Sequence, residues 1–354
     1  MTHRVTLVPG DGVGPEVIGA ARRSVEATGV DVEWDLRDMG GAAIERVGEP
    51  LPAATLDSIR KNGVALKGPI TTPPELRSVN VTLRRRLDLF ACVRPCRLYV
   101  GVPSVYESVD FIVVRENTEG MYTGIEFELG SAKTKELISF VGETTGRWVR
   151  EDSGISVKTI SEGGSERIVR FAFGYARAHG RRKVTASHKA NIMKFSDGLF
   201  LEVARRVAAE EFADIEFEDR IIDALCMLLI QHPDRFDLLV LPNLYGDIVS
   251  DIGAGLIGGL GVAPGGHFGD GLAVFEATHG TAPKHAGAGR ANPMGAMLSA
   301  AMMLRHLGEN AAGDRLETAV AAAVAAGQVT ADLAGPGGAA LGTDGFTEAV
   351  VSRL

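Results

Sequence analysis

The sequence predicts an α/β protein with two lobes, and three observations support this prediction. Short apolar segments, typical of buried strands, alternate with helical segments over most of the chain. A chain of 354 residues, of which 45% are hydrophobic, can bury more than one core. A polar, glycine-containing segment at 126–161 interrupts the alternation and indicates an inserted excursion.

The alternation starts with a predicted strand at 5–8 and a helix at 16–27, which Pro15 opens well because proline suits the first helical turn. Asp223 begins a shorter helical run, and 252–271 is rich in glycine. The other predicted elements are strands at 110–114, 184–187 and 238–241, helices at 191–208, 247–257 and 293–306, and an alanine-rich helix near 319–326.

Composition excludes several classes of protein. A net charge of -8 argues against nucleic-acid binding, which needs a surplus of Lys and Arg, so an anionic substrate would require a local basic patch. We expect no membrane span, because no uninterrupted run of ~18 apolar residues occurs. The first residues lack signal-peptide features, and three cysteines are too few for a disulfide framework or a zinc site. We therefore expect a cytoplasmic protein.

The glycines after the first strand do not form a standard dinucleotide-binding pattern. In Gly10-Asp11-Gly12-Val13-Gly14 the third glycine arrives one residue early for G-x-G-x-x-G. The segment therefore favours a tight turn between strand and helix over an ordinary Rossmann site.

Arginines provide candidates for carboxylate binding. If 80–87 is helical, Asn80 and Arg84 lie four residues apart on one face, where an amide and a guanidinium can hold carboxylate oxygens. Arginine suits this role because its planar fork binds a carboxylate in bidentate fashion. Arg94 and Arg115 follow along the chain. The alternative is a solvated basic helix.

Aspartates provide candidates for metal binding. Asp247 and Asp251 lie at i and i+4 of a predicted helix, where two like charges repel unless a cation lies between them. Such oxygen ligands suit Mg²⁺ or Mn²⁺. Asp223 opens another helix. The alternative interpretation of Asp247 is a helix cap.

Lys189 follows the predicted strand 184–187, and the carboxyl end of a strand is well placed for a lysine that transfers protons in a ligand crevice. His188 beside it is expected to be structural. Tyr122 carries a phenolic proton that it could donate, although by itself it would be interpreted as a packing residue. The polar loop at 276–285 would form an adenine-ribose pocket only with support from other residues.

The order of these segments resembles the β-decarboxylating dehydrogenases, the isocitrate/isopropylmalate dehydrogenase family, over almost the whole chain, with isocitrate dehydrogenase most similar. The motifs that carry the resemblance lie at 9–16, 65–69, 88–95, 115–119, 188–193, 243–251 and 279–283. It implies a two-lobed fold that is not a standard Rossmann fold. The large cofactor domain would comprise 1–91 and 258–354, the small substrate and dimer domain 92–120 and 161–257, and a clasp-like segment 121–160.

The resemblance also implies roles for individual residues. Substrate carboxylates would be held by Ser78, Asn80, Arg84, Arg94 and Arg115. The cation would be bound by Asp223, Asp247 and Asp251, and the catalytic residues would be Tyr122, Lys189 and Asp223. The cofactor would be bound by Thr72, Asn191, His279, Gly280, Thr281, Ala282, Lys284, His285, Asn292 and Asp332.

In this family Lys189 and Asp223 would reach the site from the partner subunit, so the resemblance implies a homodimer with shared active sites. The chemistry implied is hydride transfer from a 2-hydroxy acid to a nicotinamide dinucleotide, loss of the β-carboxylate and protonation of an enolate. Mg²⁺ or Mn²⁺ would stabilise the developing oxyanion charge. Lys189 would manage the hydroxyl proton, and Tyr122 would help to protonate the enolate.

Ser78 and Asn80 resemble the pattern for isocitrate, which would be converted to 2-oxoglutarate. The loop at 71–78 is shorter than is usual in the family, so homoisocitrate or a phosphonate analogue is the alternative substrate. Lys284 and His285 resemble NADP-type residues, but 330–335 lacks the tyrosine and arginine of NADP enzymes; the balance favours NADP, with NAD as the alternative. A non-catalytic regulatory subunit is a further alternative, which the presence of Tyr122, Lys189 and the aspartates disfavours.

Overall fold

The computed structural model describes residues 2–335 and 337–354. The strands are β1 (His3–Val8), β2 (Val32–Leu36), β3 (Val64–Lys67), β4 (Ala91–Arg97), β5 (Asp110–Glu116), β6 (Glu126–Phe127), β7 (Ile155–Ser156), β8 (Lys183–His188), β9 (Glu216–Ile221), β10 (Leu238–Leu241), β11 (Pro264–Gly269) and β12 (Leu272–Ala277). The helices are α1 (Gly14–Ala27), α2 (Gly41–Val47), α3 (Ala53–Asn62), α4 (Val79–Arg86), α5 (Ala132–Thr145), α6 (Glu162–Ala178), α7 (Asp197–Glu211), α8 (Ile222–Gln231), α9 (Asn243–Leu256), α10 (Met294–His306), α11 (Asn310–Ala325) and α12 (Thr343–Val351).

Ten strands form one sheet in the order β2-β1-β3-β12-β11-β4-β5-β10-β8-β9. The outer strands pair in parallel, but β11 runs antiparallel to both β12 and β4, and β4 runs antiparallel to β5. The antiparallel centre therefore joins two parallel halves. The predicted domain boundaries put these halves into different domains, and the division into two domains stays a prediction.

The core is built around both halves of this sheet. One apolar cluster packs α1, α10 and α11 with strands β1, β5 and β10. A second packs α6 and α7 onto β8 and β10, and a third packs α3 and α4 onto β1 and β3. The prediction of an α/β fold that is not a standard Rossmann fold is confirmed.

Three sequence predictions need correction in detail. The helix predicted at 191–208 begins at Asp197, because the N–H groups of Ile192 and Met193 turn back to the carbonyl oxygen of Lys189. The excursion at 126–161 is ordered as the β6–β7 ribbon with α5 between its strands. The glycine-rich stretch at 252–271 includes strand β11.

No helix in 2–335 or 337–354 is both long enough and apolar enough to cross a membrane.

Candidate active site

The turn between β1 and α1 lies against the predicted cofactor loop. Gly12 has φ +60°, and a Cβ at this position would lie 1.9 Å from the carbonyl oxygen of Thr281. Val13 donates its N–H to the same oxygen at 2.9 Å. The tight-turn interpretation is therefore confirmed, and glycine is required because the two backbones approach closely.

Arg115, at the end of β5, is the most buried charged group of the candidate site. Only 1% of its side chain is exposed. Its Nε and Nη2 donate to Oδ1 of Asn243 at 3.0 and 2.7 Å, and its Nη1 pairs with Asp247. The guanidinium also lies 4.8 Å from the centre of the Tyr122 ring. These contacts fix Arg115 between β5 and the first turns of α9.

Tyr122 and Asp247 form a proton-holding pair beside Arg115. The Tyr122 hydroxyl donates to Asp247 Oδ2. Burial and this hydrogen bond raise the pKa of Tyr122, so its proton is retained at neutral pH. Burial alone would raise the pKa of Asp247, but Arg115, the Tyr122 hydrogen bond and Arg94 together lower it below its ordinary value. Asp247 is therefore a carboxylate and Tyr122 a neutral phenol.

Asp247 and Asp251 lie one turn apart within α9, as predicted, and 61% of the Asp251 side chain is exposed. Arg94 Nη1 donates to Ser250 at 3.0 Å and lies 3.5 Å from Asp251 Oδ1. The alternative of Asp247 as a helix cap is wrong, because α9 begins at Asn243 with Pro242 in the cap position.

The predicted helix at 80–87 is α4, with the substrate candidates Ser78 and Asn80 at its start and Arg84 in its last turn. Ser78 caps α4 and accepts from Val81 N–H at 3.4 Å. Arg84 is buried, and its Nε has no hydrogen-bond partner among the described residues; within the same residues the Asn80 amide oxygen also has none. A buried donor without a partner is costly, so Arg84 Nε indicates a missing acceptor such as a ligand carboxylate.

A buried charge cluster lies behind Arg84. Glu276 pairs with Lys67, accepts from His267 Nε2 at 2.7 Å and lies 3.8 Å from Arg84 Nη2. Burial would raise the pKa of Glu276, but Lys67 and His267 hold it well below its ordinary value. The sequence does not predict this cluster. Glu276 belongs to the polar loop at 276–285, and nothing in the local pattern links it to Lys67 or His267.

Lys189 and Asp223 form a second, separate group. The Lys189 ammonium pairs with Asp223, whose side chain is 68% exposed. In the described residues no hydrogen bond or ion pair joins either of them to Asp247 or Asp251, and no set of three or more metal-binding side chains is assembled within 2–335 and 337–354. A single chain therefore brings together two of the three predicted metal ligands in one helix and holds the third apart. His188, expected to be structural, is buried beside Asp219.

The predicted cofactor residues lie in four places. Loop residues 279–285 follow β12 and lie against the β1–α1 turn. Lys284 and His285 are exposed, and His279 Nε2 is buried without a hydrogen-bond partner within 2–335 and 337–354. Asn292 donates to Asp332 at 2.9 Å, which joins two of the predicted residues. Thr72 accepts from Val79 N–H at 3.1 Å, and Asn191 is exposed in the turn before α7. Gly280, Thr281 and Ala282 complete the loop.

Comparison with known proteins places these features in context. Residues 4–350 match the family model described as isocitrate/isopropylmalate dehydrogenase. The chain is 44% identical to isocitrate dehydrogenase (NAD) subunit alpha, mitochondrial, from Homo sapiens, over 99% of this chain and 90% of that one. It is 43% identical to isocitrate dehydrogenase (NAD) catalytic subunit 5, mitochondrial, from Arabidopsis thaliana, over 99% and 88%. The crystal structure of isocitrate dehydrogenase from Methylococcus capsulatus is similar with a TM-score of 0.90 and 47% identity, over 99% of both chains.

Proposed function

The chain belongs to the isocitrate/isopropylmalate dehydrogenase family, and we propose that it oxidises and decarboxylates isocitrate to 2-oxoglutarate with a nicotinamide dinucleotide and a divalent cation. It is a β-decarboxylating dehydrogenase. One observation carries the substrate assignment: three buried or nearly buried arginines converge beside an aspartate pair, and Arg84 Nε finds no acceptor in the part of the chain that the structure describes.

The arginines favour a substrate with several carboxylates. Burial lowers the pKa of Arg115; Asp247 opposes this effect, while Arg84 and Arg94 add to it. These three cations therefore repel one another. Asp247 lies near all three of them, Asp251 lies 3.5 Å from Arg94, and Glu276 lies 3.8 Å from Arg84. A bound polyanion would relieve the repulsion, and the guanidinium forks suit carboxylate oxygens.

The aspartates fit a hard divalent cation. Asp247 and Asp251 supply only oxygen atoms, and Asp251 is exposed enough to accept a cation. We propose that both hold Mg²⁺ or Mn²⁺, with Asp223 of the partner subunit as the third ligand. When bound, such an ion polarises the hydroxyl and carbonyl oxygens of the substrate and stabilises oxyanion charge.

Two side chains are suited to move protons. Tyr122 keeps its proton at neutral pH and can give it to an enolate carbon, and the neighbouring Asp247 and Arg115 fix the direction of its hydroxyl. Lys189, from the other subunit, is proposed to take the proton of the substrate hydroxyl. The arginines hold the carboxylates while these transfers occur.

Exposed apolar stripes support a homodimer with shared sites. On α8, Asp223 shares a helix face with the exposed Met227 and Ile230, at spacings of i+4 and i+7. On α9, Asp251 shares a face with Leu244 and Ile248, which precede it at i−7 and i−3. The two helices pack against each other. A second copy that covered these stripes would bury their apolar area and would bring its carboxylates to the same surface.

The clasp-like segment supports the same assembly. The segment exposes Ile125 and Leu129 on either side of β6, Phe140 on α5 and Trp148 after α5. Large apolar side chains on one excursion indicate a surface that a partner covers. We propose that 121–160 interlocks with its counterpart in the dimer.

The cofactor is proposed to bind loop 279–285, where His279 Nε2, which has no partner among the described residues, could form a hydrogen bond with it. Lys284 makes no ion pair in the described chain and is available to a 2′-phosphate, which favours NADP. The named relatives from Homo sapiens and Arabidopsis thaliana are NAD enzymes and mitochondrial. The preference for NADP and the cytoplasmic location therefore stay predictions.

The purified chain should be assayed with Mn²⁺, NAD⁺ and NADP⁺ against isocitrate, homoisocitrate, isopropylmalate, tartrate and a phosphonate analogue of isocitrate. We expect the highest kcat/KM with isocitrate. A higher value with homoisocitrate or the phosphonate would support the analogue substrate, which the exposed short loop at 71–78 favours. Activity only after addition of a second polypeptide would instead support a regulatory subunit.

A further inference from the structure

A cluster of Lys158, Asp197 and Tyr245 joins three parts of the chain. Lys158 lies two residues after β7, at the exit of the clasp-like segment. Asp197 is the first residue of α7, directly after the loop that begins with Lys189. Tyr245 lies in the first turn of α9, two residues before Asp247. The cluster therefore connects segments that carry residues of both groups of the candidate site.

Asp197 holds the backbone of Lys189. Its side chain is 0% exposed. Oδ1 pairs with the Lys158 ammonium, and Oδ2 accepts the backbone N–H of Lys189 at 2.7 Å. A buried carboxylate needs such partners for both oxygens, so Asp197 cannot shift without breaking one of them. Asp197 thereby fixes the direction in which the chain leaves β8 at Lys189.

Lys158 connects this carboxylate to its surroundings. Its Nζ lies 3.3 Å from the Tyr245 hydroxyl, 4.7 Å from the centre of the Tyr245 ring and 3.7 Å from Sδ of Met193. One ammonium thus contacts Met193 in the loop that begins with Lys189, Asp197 at the start of α7 and Tyr245 in α9. The side chain of Lys189, by contrast, pairs only with Asp223 among the described residues.

We propose that Lys158 is a positioning residue, which through Asp197 holds Lys189 at the position from which it enters the partner subunit's active site. Its contact with Tyr245 fixes the position of the loop that begins with Lys189 relative to α9. Helix α9 carries Asp247 and Asp251, the proposed metal ligands of the chain's own site. Lys158 thus links Lys189, which acts in the partner subunit's site, with the helix that carries Asp247 and Asp251 of the chain's own site. This inference rests on the proposed shared-site dehydrogenase function.

The first test is Lys158→Met, which keeps the apolar stem and removes the ammonium. We expect kcat for isocitrate to fall by about tenfold to a hundredfold, the effect of displacing a catalytic group by about 1 Å. KM for isocitrate should stay within about twofold, because the arginine cluster is unchanged. The matched control is Lys61→Met, which removes an exposed lysine at the end of α3 and should leave kcat unchanged.

A second readout does not depend on activity. Hydrogen exchange of the Lys189 amide, followed by mass spectrometry of peptides covering 188–193, should be faster in Lys158→Met than in wild type or Lys61→Met. The reason is that Asp197, which accepts the Lys189 N–H, no longer pairs with an ammonium at position 158 in the variant.

Lys158→Met leaves a buried carboxylate unpaired, so a second variant guards against loss of folding. Lys158→Met/Asp197→Asn removes both charges and keeps an oxygen that accepts the Lys189 N–H. We expect the double variant to be a folded dimer with the low kcat of Lys158→Met. In Lys158→Arg, which keeps a positive charge, the fall in log kcat should be at most half of the fall in Lys158→Met.

Wild-type kcat together with wild-type amide exchange in the folded double variant would overturn the inference. A rise in KM with unchanged kcat would also overturn it, since that result places Lys158 in substrate binding. Absence of isocitrate turnover in the wild-type protein would instead overturn the proposed function, and amide exchange would still test the anchoring of Lys189.

Discussion

Replacement of Arg115 by methionine tests whether this side chain anchors the candidate site. The variant keeps an apolar stem but removes two hydrogen bonds to Asn243 and the pair with Asp247, and it leaves both acceptors behind. Breaking a buried ion pair from one side costs about 3–5 kcal/mol. Because 35% of the Asp247 side chain is exposed, water can solvate the remaining charge. We therefore expect Arg115→Met to lower the free energy of unfolding by about 3 kcal/mol, the lower end of this range.

Arg115→Lys separates charge from shape. Lysine keeps the positive charge but cannot reach Asn243 and Asp247 at once, so we expect a loss of about 1–2 kcal/mol. The control is Arg22→Met, which breaks an exposed pair with Glu26 and should cost about 1 kcal/mol or less.

The assay is urea unfolding at one fixed protein concentration, since the proposed dimer would make stability depend on concentration. The urea concentration at the unfolding midpoint should be highest for wild type, lower for Arg22→Met, lower again for Arg115→Lys and lowest for Arg115→Met. The four proteins should show similar slopes of unfolding free energy against urea concentration. If Arg115→Met unfolded at the same urea concentration as Arg22→Met, the contacts of Arg115 would not stabilise the fold, and the reasoning from its burial would be refuted.

Three further predictions concern the metal, the cofactor and acid stability. Asp251→Asn should raise the Mn²⁺ concentration for half-maximal activity on the order of tenfold, because a charged oxygen ligand is lost, and unchanged metal dependence would remove the assignment. Lys284→Asp should shift the ratio of kcat/KM for NADP⁺ over NAD⁺ about tenfold towards NAD⁺, and a constant ratio would mean that Lys284 does not meet a phosphate. Because the folded state lowers the pKa of Glu276 from its ordinary 4.5, this residue stabilises the fold above that pH, and the contribution is lost as pH falls through the folded value. Glu276→Gln should therefore be less stable than wild type at pH 7 with a gap that narrows in acid; a gap independent of pH in urea unfolding would contradict this.

Elements with strong apolar periodicity were predictable from sequence. Strand β10 has the predicted bounds, and β5 and β8 extend only one or two residues beyond theirs. Strands β11 and β12 were missed because glycines and a short hairpin hide the apolar pattern of a central antiparallel pair. Helix α5 was missed because its segment is polar and its apolar residues, such as Phe140, are partly exposed.

The candidate site was predictable where residues are close in sequence. The i, i+4 aspartates of α9 and the i, i+4 pair of Asn80 and Arg84 in α4 follow from local spacing. The long-range contacts of the site do not follow from local spacing, because Lys67 and Glu276 lie 209 residues apart and Arg115 and Asn243 lie 128 apart. Such pairs depend on strand order, which local periodicity does not contain.

Subunit mixing tests most directly the claim that each active site is built from two chains. Lys189→Met and Tyr122→Phe change different groups of the site, and each homodimer should be nearly inactive. In a hybrid dimer, one site combines the intact Tyr122 of one chain with the intact Lys189 of the other. Half of the dimers in an equal mixture are hybrids and half of their sites are intact, so we predict about a quarter of wild-type activity. Activity no greater than that of the separate variants, with hybrid dimers present, would contradict a shared site.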